Sequence, residues 1–183
     1  MEIIPNWLGP LIGVVVGFML NMVHQYFQER WFGPKLIISG RKGEGPNAVW
    51  MRFRVQNMNK RRVARNCRAY LTAIHQISNN RPISDNLAAD SVQLSWEGGD
   101  FDPRDIPYGA SQYGDIVYFP KQDKSDWQFH TRPNYLNENL NLKGYRGTYR
   151  FSVIVAGDGA TPATKEINVD YNGDWRNARP YDA

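Results

Sequence analysis

The densest group of basic side chains in this sequence lies between residues 60 and 68. These nine residues hold five cations and no acid: Lys60, Arg61, Arg62, Arg65 and Arg68. Arginine guanidinium groups are planar and can bind two phosphate oxygens at once. Beyond residue 32 the chain carries 21 basic and 16 acidic side chains, a net charge of +5. The cluster therefore has a charge density that suits a phosphate-bearing partner.

Two neighbouring segments extend this cluster if they pair as a hairpin. Alternation then places Arg52, Arg54 and Arg68 on one outer face, beside two rings that can stack on bases. Three interpretations stay open: solvated cations on a hairpin, contact with anionic lipid headgroups, or a nucleotide or oligonucleotide site. The predicted ligand-binding residues are Trp50, Arg52, Arg54, Lys60, Arg61, Arg62, Arg65, Arg68 and Tyr70.

A second pattern lies in the only strongly apolar stretch, residues 5–23. Glycine recurs at every fourth position, as Gly9, Gly13 and Gly17, and the next step in the same register is Asn21. Residues four apart lie on one face of an α-helix. A stripe of small residues lets two membrane helices approach closely, and a buried amide can hydrogen-bond across the contact. The pattern predicts a helix that packs against another helix through these glycines.

The same stretch predicts a membrane span. Trp7 to Val23 is 17 residues with one polar interruption, near the short end of what crosses a hydrocarbon core of about 30 Å. A secretory signal peptide and a buried core helix are the alternatives. The signal peptide is disfavoured because the chain starts with Met-Glu and no small-residue cleavage site follows the stretch.

Charge and cysteine content predict the orientation. The cations Arg30, Lys35, Arg41 and Lys42 follow the helix, whereas Glu2 is the single charged side chain before it. The positive-inside rule then places the N-terminus outside and the C-terminal part in the cytoplasm. Cys67 is the only cysteine, which suits a reducing compartment.

The hydrophobic pattern of the rest of the chain predicts a β domain. After the Gly33-Pro34 break the hydrophobic period changes from 3.6 to 2, and turn sequences separate about eight short apolar runs. We expect a mainly β fold: one N-terminal transmembrane helix (residues 1–32), an antiparallel β-sandwich or small β-barrel (33–175) and a frayed, flexible tail (176–183). The predicted strands are 35–39, 49–55, 67–73, 92–96, 115–119, 126–130, 147–156 and 165–171.

Motifs of enzyme chemistry are missing from the sequence. It contains no phosphate-binding Walker loop, no nucleophile elbow and no zinc-binding histidine or cysteine pair. The three carboxylates between Asp100 and Asp105 match no calcium loop and are interpreted as a solvated turn, with a calcium site as the alternative. His75 and His130 are interpreted as structural or solvated, and Cys67 as a core residue. We therefore expect no catalytic residue, no metal and no cofactor.

The plan of one glycine-striped helix followed by a basic cytoplasmic β domain resembles small membrane effectors of bacterial anti-phage systems (the CBASS, Pycsar and Hailong types). The likeness covers architecture, and in residues it rests on Gly9, Gly13, Gly17 and Asn21, which resemble the glycine zippers of pore-forming helices. It implies a homo-oligomer in the bacterial inner membrane that responds to a nucleotide made by a cognate nucleotidyltransferase.

A pore needs several chains, because one helix has no bore. In such a bundle, polar residues near the cytoplasmic end would face inward, and branched apolar residues would form a dry constriction. The predicted pore-lining residues are Val14, Asn21, His24, Gln25 and Gln28. The alternative function is a membrane-anchored β module that binds a protein and forms no pore.

Overall fold

The computed structural model describes residues 8–60, 62–79, 81–84, 87–88, 90–121, 127–132 and 146–183. One long α-helix precedes a domain built from short and medium-length strands. The elements are α1 (Leu8–Phe32), β1 (Leu36–Glu44), β2 (Ala48–Asn57), β3 (Ala64–Ser78), β4 (Arg81–Pro82), β5 (Val92–Leu94), β6 (Arg104–Ile106), β7 (Ser111–Pro120), β8 (Thr131–Arg132), β9 (Gly147–Asp158), β10 (Ala163–Tyr171), a 3₁₀ turn (Trp175–Asn177) and β11 (Arg179–Asp182).

Helix α1 is long and apolar enough to cross a membrane. Its 25 residues correspond to about 37 Å at 1.5 Å per residue. Within it, Pro10–Phe27 has a mean hydropathy of 1.4, and none of this window is buried against the rest of the chain. Pro10 lies in the first turn, where a missing N–H breaks no helical hydrogen bond. Gly33 and Pro34 follow the last helical residue, as the sequence predicts.

The strands form two antiparallel sheets, so the prediction of a helix followed by an antiparallel β domain is confirmed. The smaller sheet has the order β1-β2-β7, and the larger has the order β11-β10-β9-β3-β5-β8, with β4 and β6 also pairing with β3. Every paired strand couple is antiparallel. The apolar faces of both sheets enclose one core, which makes the domain a sandwich.

Alternation explains how the strands fill this core. In β2, Val49, Met51, Phe53 and Val55 are fully buried, while the residues between them are partly exposed. The β9 residues Tyr149, Phe151, Val153 and Val155 form the facing row of the larger sheet. Aromatic rings close one end, where Trp127 lies 4.8 Å from Tyr149 and 5.2 Å from Tyr171, centroid to centroid.

The predicted strands are largely found, with different limits. β3 runs from residue 64 to 78 rather than from 67 to 73, and β7 from 111 to 120 rather than from 115 to 119. The predicted strand 126–130 is replaced by an isolated bridge between Gln128 and Tyr118 and by β8, while residue 126 lies outside the described residues.

The expectation of a frayed tail after residue 175 is wrong. Residues 179–182 form β11, which pairs antiparallel with β10, and Ala178 is fully buried. The Asp182 carboxylate also accepts a hydrogen bond of 3.2 Å from the backbone N–H of Gly40 in β1. Polar composition suggested fraying, but backbone pairing with an edge strand does not need apolar side chains. The tail therefore helps to join the two sheets.

Candidate functional site

The glycines and the polar residues of α1 share one side of the helix. At 100° per residue, the positions assigned to helix packing and to a pore fall within an arc of about 160°. Between residues 10 and 27 the opposite half of the helix is apolar except for Tyr26, and Glu29 and Arg30 follow on that half. Leu20 and Phe27 fall within the arc. We name the first arc the small-residue face; it comprises Gly9, Gly13, Val14, Gly17, Asn21, His24, Gln25 and Gln28.

Among the described residues, none covers the small-residue face at Gly13 or Gly17. A Cβ atom added at Gly13 or Gly17 would meet nothing within 4 Å apart from the helix backbone. The described side chains of α1, from residue 10 to 27, are exposed on every side. Such a helix needs lipid, other protein chains or both to cover its apolar surface.

The basic cluster predicted as one surface is divided among three places, and the hairpin on which that prediction depended is absent. β2 pairs with β1 and β7, whereas β3 pairs with β9 and β5 in the opposite sheet. The segment 58–63 therefore crosses from one sheet to the other rather than forming a hairpin turn. Arg52 and Arg54 lie on one side of the sandwich, and Arg68 and Tyr70 lie on the other.

Arg52 is engaged in a structural ion-pair network. Its Nε lies 2.7 Å from Asp115 Oδ1, and its Nη1 lies 2.7 Å from Glu97 Oε1. A bulge between β2 and β7 brings Asp115 opposite Arg52, and the Asp115 side chain is only 3% exposed. Burial raises the pKa of Asp115, and the Arg52 charge opposes this shift. Arg52 therefore neutralises a buried carboxylate.

The other two residues predicted on this face are also engaged by neighbours. The Arg52 guanidinium lies 5.0 Å from the centroid of the Trp50 ring, which occupies one face of that ring. Arg54 donates from Nε to Ser111 Oγ and from Nη2 to Gln56 Oε1, each over 2.9 Å. These contacts make this sheet face a packed polar surface rather than an open phosphate site.

The loop cations lie at the end of the sandwich that adjoins α1. The Met58 N–H donates to Lys35 O over 2.8 Å, and Asn59 Nδ2 donates to Gly33 O over 2.5 Å. Lys60 and Arg62 are exposed in this segment. Arg61 lies outside the described residues. We name residues 58–63 the proximal loop.

The third group lines a groove on the outer face of the larger sheet. The groove has a volume of about 600 Å³ and is bordered by Asn66, Arg68, Tyr70 and Pro103 on one side and by residues 156–158 on the other. Asn66 has a positive φ of 51° and donates from its side-chain amide to Asp158. Arg65, the residue before Asn66, is exposed and lies opposite Asp158 in the pairing of β3 with β9. The groove thus combines a cation, an aromatic ring, an amide and the Asp158 carboxylate that accepts a hydrogen bond from that amide.

The remaining residues with potential chemistry are structural. Cys67 is fully buried, and burial raises the pKa of its thiol to about 11. Asp100 accepts bonds from Arg104 and from the Asp102 N–H, which closes a turn of the kind that the sequence predicts. His75 lies 3.3 Å from a backbone carbonyl, and His130 contacts the Tyr118 ring. Among the described residues, no group of three metal-ligating side chains comes together.

Sequence reasoning missed the apolar residues at the end of the sandwich that adjoins α1, which we name the proximal end. Met58, Val63 and Tyr108 are 46%, 40% and 47% exposed there. Tyr108 comes from a distant loop that an isolated bridge holds beside Asn57. The antiparallel pairing of β1 with β2 brings residue 58 beside Gly33 and Pro34. Without that pairing, the sequence gives no sign that these apolar residues lie next to the helix.

Comparison with protein families, with characterised proteins and with solved structures finds no match to this chain.

Proposed function

We propose that this protein is a single-pass, homo-oligomeric membrane effector whose α1 helices assemble into a pore, with the β-sandwich on the cytoplasmic side. The observation that carries the proposal is the small-residue face, which no other part of the described chain covers. One side of the helix thus carries both glycines, which allow close contact between helices, and polar residues, whose exposure to lipid is energetically unfavourable.

The order of residues along this face defines the proposed pore. Val14 lies about 10 Å along the helix axis from Asn21, at 1.5 Å per residue. A ring of Val14 side chains would form a dry constriction that closes by dewetting. Asn21, His24 and Gln25 would form polar rings on the cytoplasmic side of it. Packing among the glycines would then set the width of the bore.

The proposed control of the pore uses the groove beside Arg68 and Tyr70. A nucleotide-type ligand would place a base against the Tyr70 ring and a phosphate against Arg68. Its role in anti-phage defence, with a nucleotidyltransferase as the source of the ligand, follows from the resemblance in architecture alone. A ligand can shift the pore equilibrium only if it binds the open and closed assemblies with different affinities.

Ion conductance of the purified full chain in liposomes tests the pore. We expect single-channel currents, and Gln25→Glu should raise the preference for cations because it adds a ring of negative charge. Gln112→Glu, the same change in the β domain, should leave selectivity unchanged. A stable oligomer with no conductance would refute the pore and favour the alternative, a membrane-anchored β module that binds a protein partner.

Binding of cyclic nucleotides and short oligonucleotides to the full chain in nanodiscs tests the groove. Affinity should fall steeply as salt rises from 50 to about 200 mM, as expected for phosphate contacts. Arg68→Glu should abolish binding, whereas Arg81→Glu, an exposed cation on β4, should not. Absence of binding at low salt would remove the nucleotide from the proposal and leave the pore untouched.

A further inference from the structure

The end of the sandwich next to α1 presents apolar and basic side chains together. Met58, Val63 and Tyr108 are exposed there, and Lys60 Nζ lies 5.9 Å from the centroid of the Tyr108 ring. Lys35 and Arg62 add two further exposed cations. The segments that form this end, residues 33–38, 58–65, 107–110 and 161–163, contain no acidic residue. The surface is therefore amphipathic and mainly positive, with the exposed carboxylates of Asp105 and Asp158 at its margin beside Asn66.

A buried amide holds this surface in one conformation. Asn57 is fully buried at the end of β2, and its Nδ2 donates to Arg62 O over 2.7 Å and to Ile106 O over 3.0 Å. Its Oδ1 accepts the Asn59 N–H over 3.0 Å. One side chain thereby connects both segments that carry the exposed apolar residues, so the ordering cost of this surface is already met before it binds anything.

Two hydrogen bonds, one from a backbone N–H and one from a side-chain amide, tie the surface to the end of α1. The bonds from Met58 to Lys35 and from Asn59 to Gly33 fix the proximal loop to the residues that directly follow the helix. A cavity of about 630 Å³ lies at this junction, between the proximal loop and Pro162 in the loop from β9 to β10. If α1 spans a membrane, the proximal end must stand within a few residues of the headgroup layer.

We propose that the proximal end of the sandwich docks on anionic phospholipid headgroups of the membrane that holds α1. Met58, Val63 and Tyr108 enter the interfacial layer, and Lys35, Lys60 and Arg62 bind lipid phosphates. The inference rests on the proposed membrane span. Its occupant is argued from charge complementarity and from the short tether to the helix. Docking would fix the orientation of the sandwich relative to α1. A conformational change in the sandwich would then alter the packing of α1, and the reverse would also hold.

The test uses the full chain in nanodiscs with an environment-sensitive fluorophore on Val63→Cys. Cys67 is buried and stays unlabelled, so wild type serves as the blank. Phosphatidylcholine discs are compared with discs that also contain phosphatidylglycerol. We expect the Val63 label to emit at shorter wavelength in the anionic discs, while a label on Asn47→Cys, at the opposite end of the sandwich, stays in water. Lys60→Glu should reverse the shift, and Arg81→Glu should not.

A label on Val15→Cys separates the two ways in which the inference can fail. If Val15 reports lipid but Val63 emits like Asn47 in both kinds of disc, docking is refuted and the membrane span survives. If Val15 itself reports water, the span and the docking both fall. A Val63 shift that needs an added oligonucleotide rather than anionic lipid would also overturn the proposal, because it would assign the proximal end to nucleic acid.

Discussion

Gly13 in the helix and two strand glycines of the sandwich, Gly114 and Gly157, have opposite surroundings. A Cβ atom at Gly13 would meet nothing, whereas one at Gly114 would fall on the Phe53 ring, and one at Gly157 would lie 2.7 Å from both Arg65 O and Cys67 Sγ. At these two strand positions the sandwich thus uses glycine to complete its own packing. The helix carries glycine where the chain offers nothing to pack against.

This contrast separates a region that folds on its own contacts from one that needs partners. The core of the sandwich is continuous across both sheets, and its Arg52–Asp115 pair is satisfied within the domain. The small-residue face of α1 has no complementary surface among the residues that the structure describes. Substitutions in the sandwich should therefore change stability, and substitutions on the helix should change assembly.

The largest effect on the sandwich should come from Asp115→Ala. The change leaves the Arg52 guanidinium, 16% exposed, without its buried partner, and breaking a buried pair costs about 3–5 kcal/mol. Glu97→Ala removes the other partner of Arg52. The Glu97 side chain is 55% exposed, so its loss should lower the free energy of unfolding by no more than about 1 kcal/mol. Denaturant unfolding followed by tryptophan fluorescence measures both. Equal losses would contradict the view that burial makes this pair important.

A smaller effect is expected for Gly114→Ala. The new methyl group would force the fully buried Phe53 ring to move, and overpacking of this kind costs about 1–3 kcal/mol. Gly13→Ala makes the same chemical change on the helix and should leave the unfolding of the sandwich unchanged. If Gly13→Ala destabilised the sandwich as much, the two regions would not be independent.

The orientation of the chain can be tested by thiol accessibility in intact cells. A cysteine at Ala183, which is exposed, should resist a membrane-impermeant reagent, while a cysteine at Glu2 should react. Ala178 would be an unsuitable position because it is buried. The reverse pattern of labelling would place the sandwich outside the cytoplasm.

The smallest effect concerns Cys67 at high pH. Its pKa is raised to about 11 by burial, so its contribution to stability is complete below the pKa of an unfolded thiol, about 8.5, and is lost as pH rises toward 11. Wild type should therefore lose more stability than Cys67→Ala between pH 9 and 11. Parallel stability curves for the two proteins would show that the thiol is not shielded.

Local patterns in the sequence predicted where the helix and strands lie better than they predicted which strands pair. Alternation in β2 fixed which side chains are buried, and the helix ends at the Gly33-Pro34 break as predicted. The pairing of β2 with β7 rather than with β3 depends on contacts between residues 55 to 72 positions apart. No local signal reports such contacts, so the basic cluster could be found in the sequence but not placed in space.

The terminal strand illustrates the same limit. Residues 179–182 are polar and contain Pro180, which reads as a tail. Their order comes from backbone bonds to β10 and from the Gly40–Asp182 contact, which only the folded sandwich provides. Proline is tolerated there because β11 is an edge strand.

The central claim, that α1 assembles through its small-residue face, is tested most directly by comparing Gly13→Leu with Val15→Leu. The two positions lie about 160° apart around the helix, and neither substitution meets an obstacle within the chain, since Gly13 faces open space and Val15 is 51% exposed. Cross-linking of the full chain in native membranes measures the yield of oligomer. We predict that Gly13→Leu converts the oligomer to monomer while Val15→Leu retains it. Equal yields from the two variants would contradict the account.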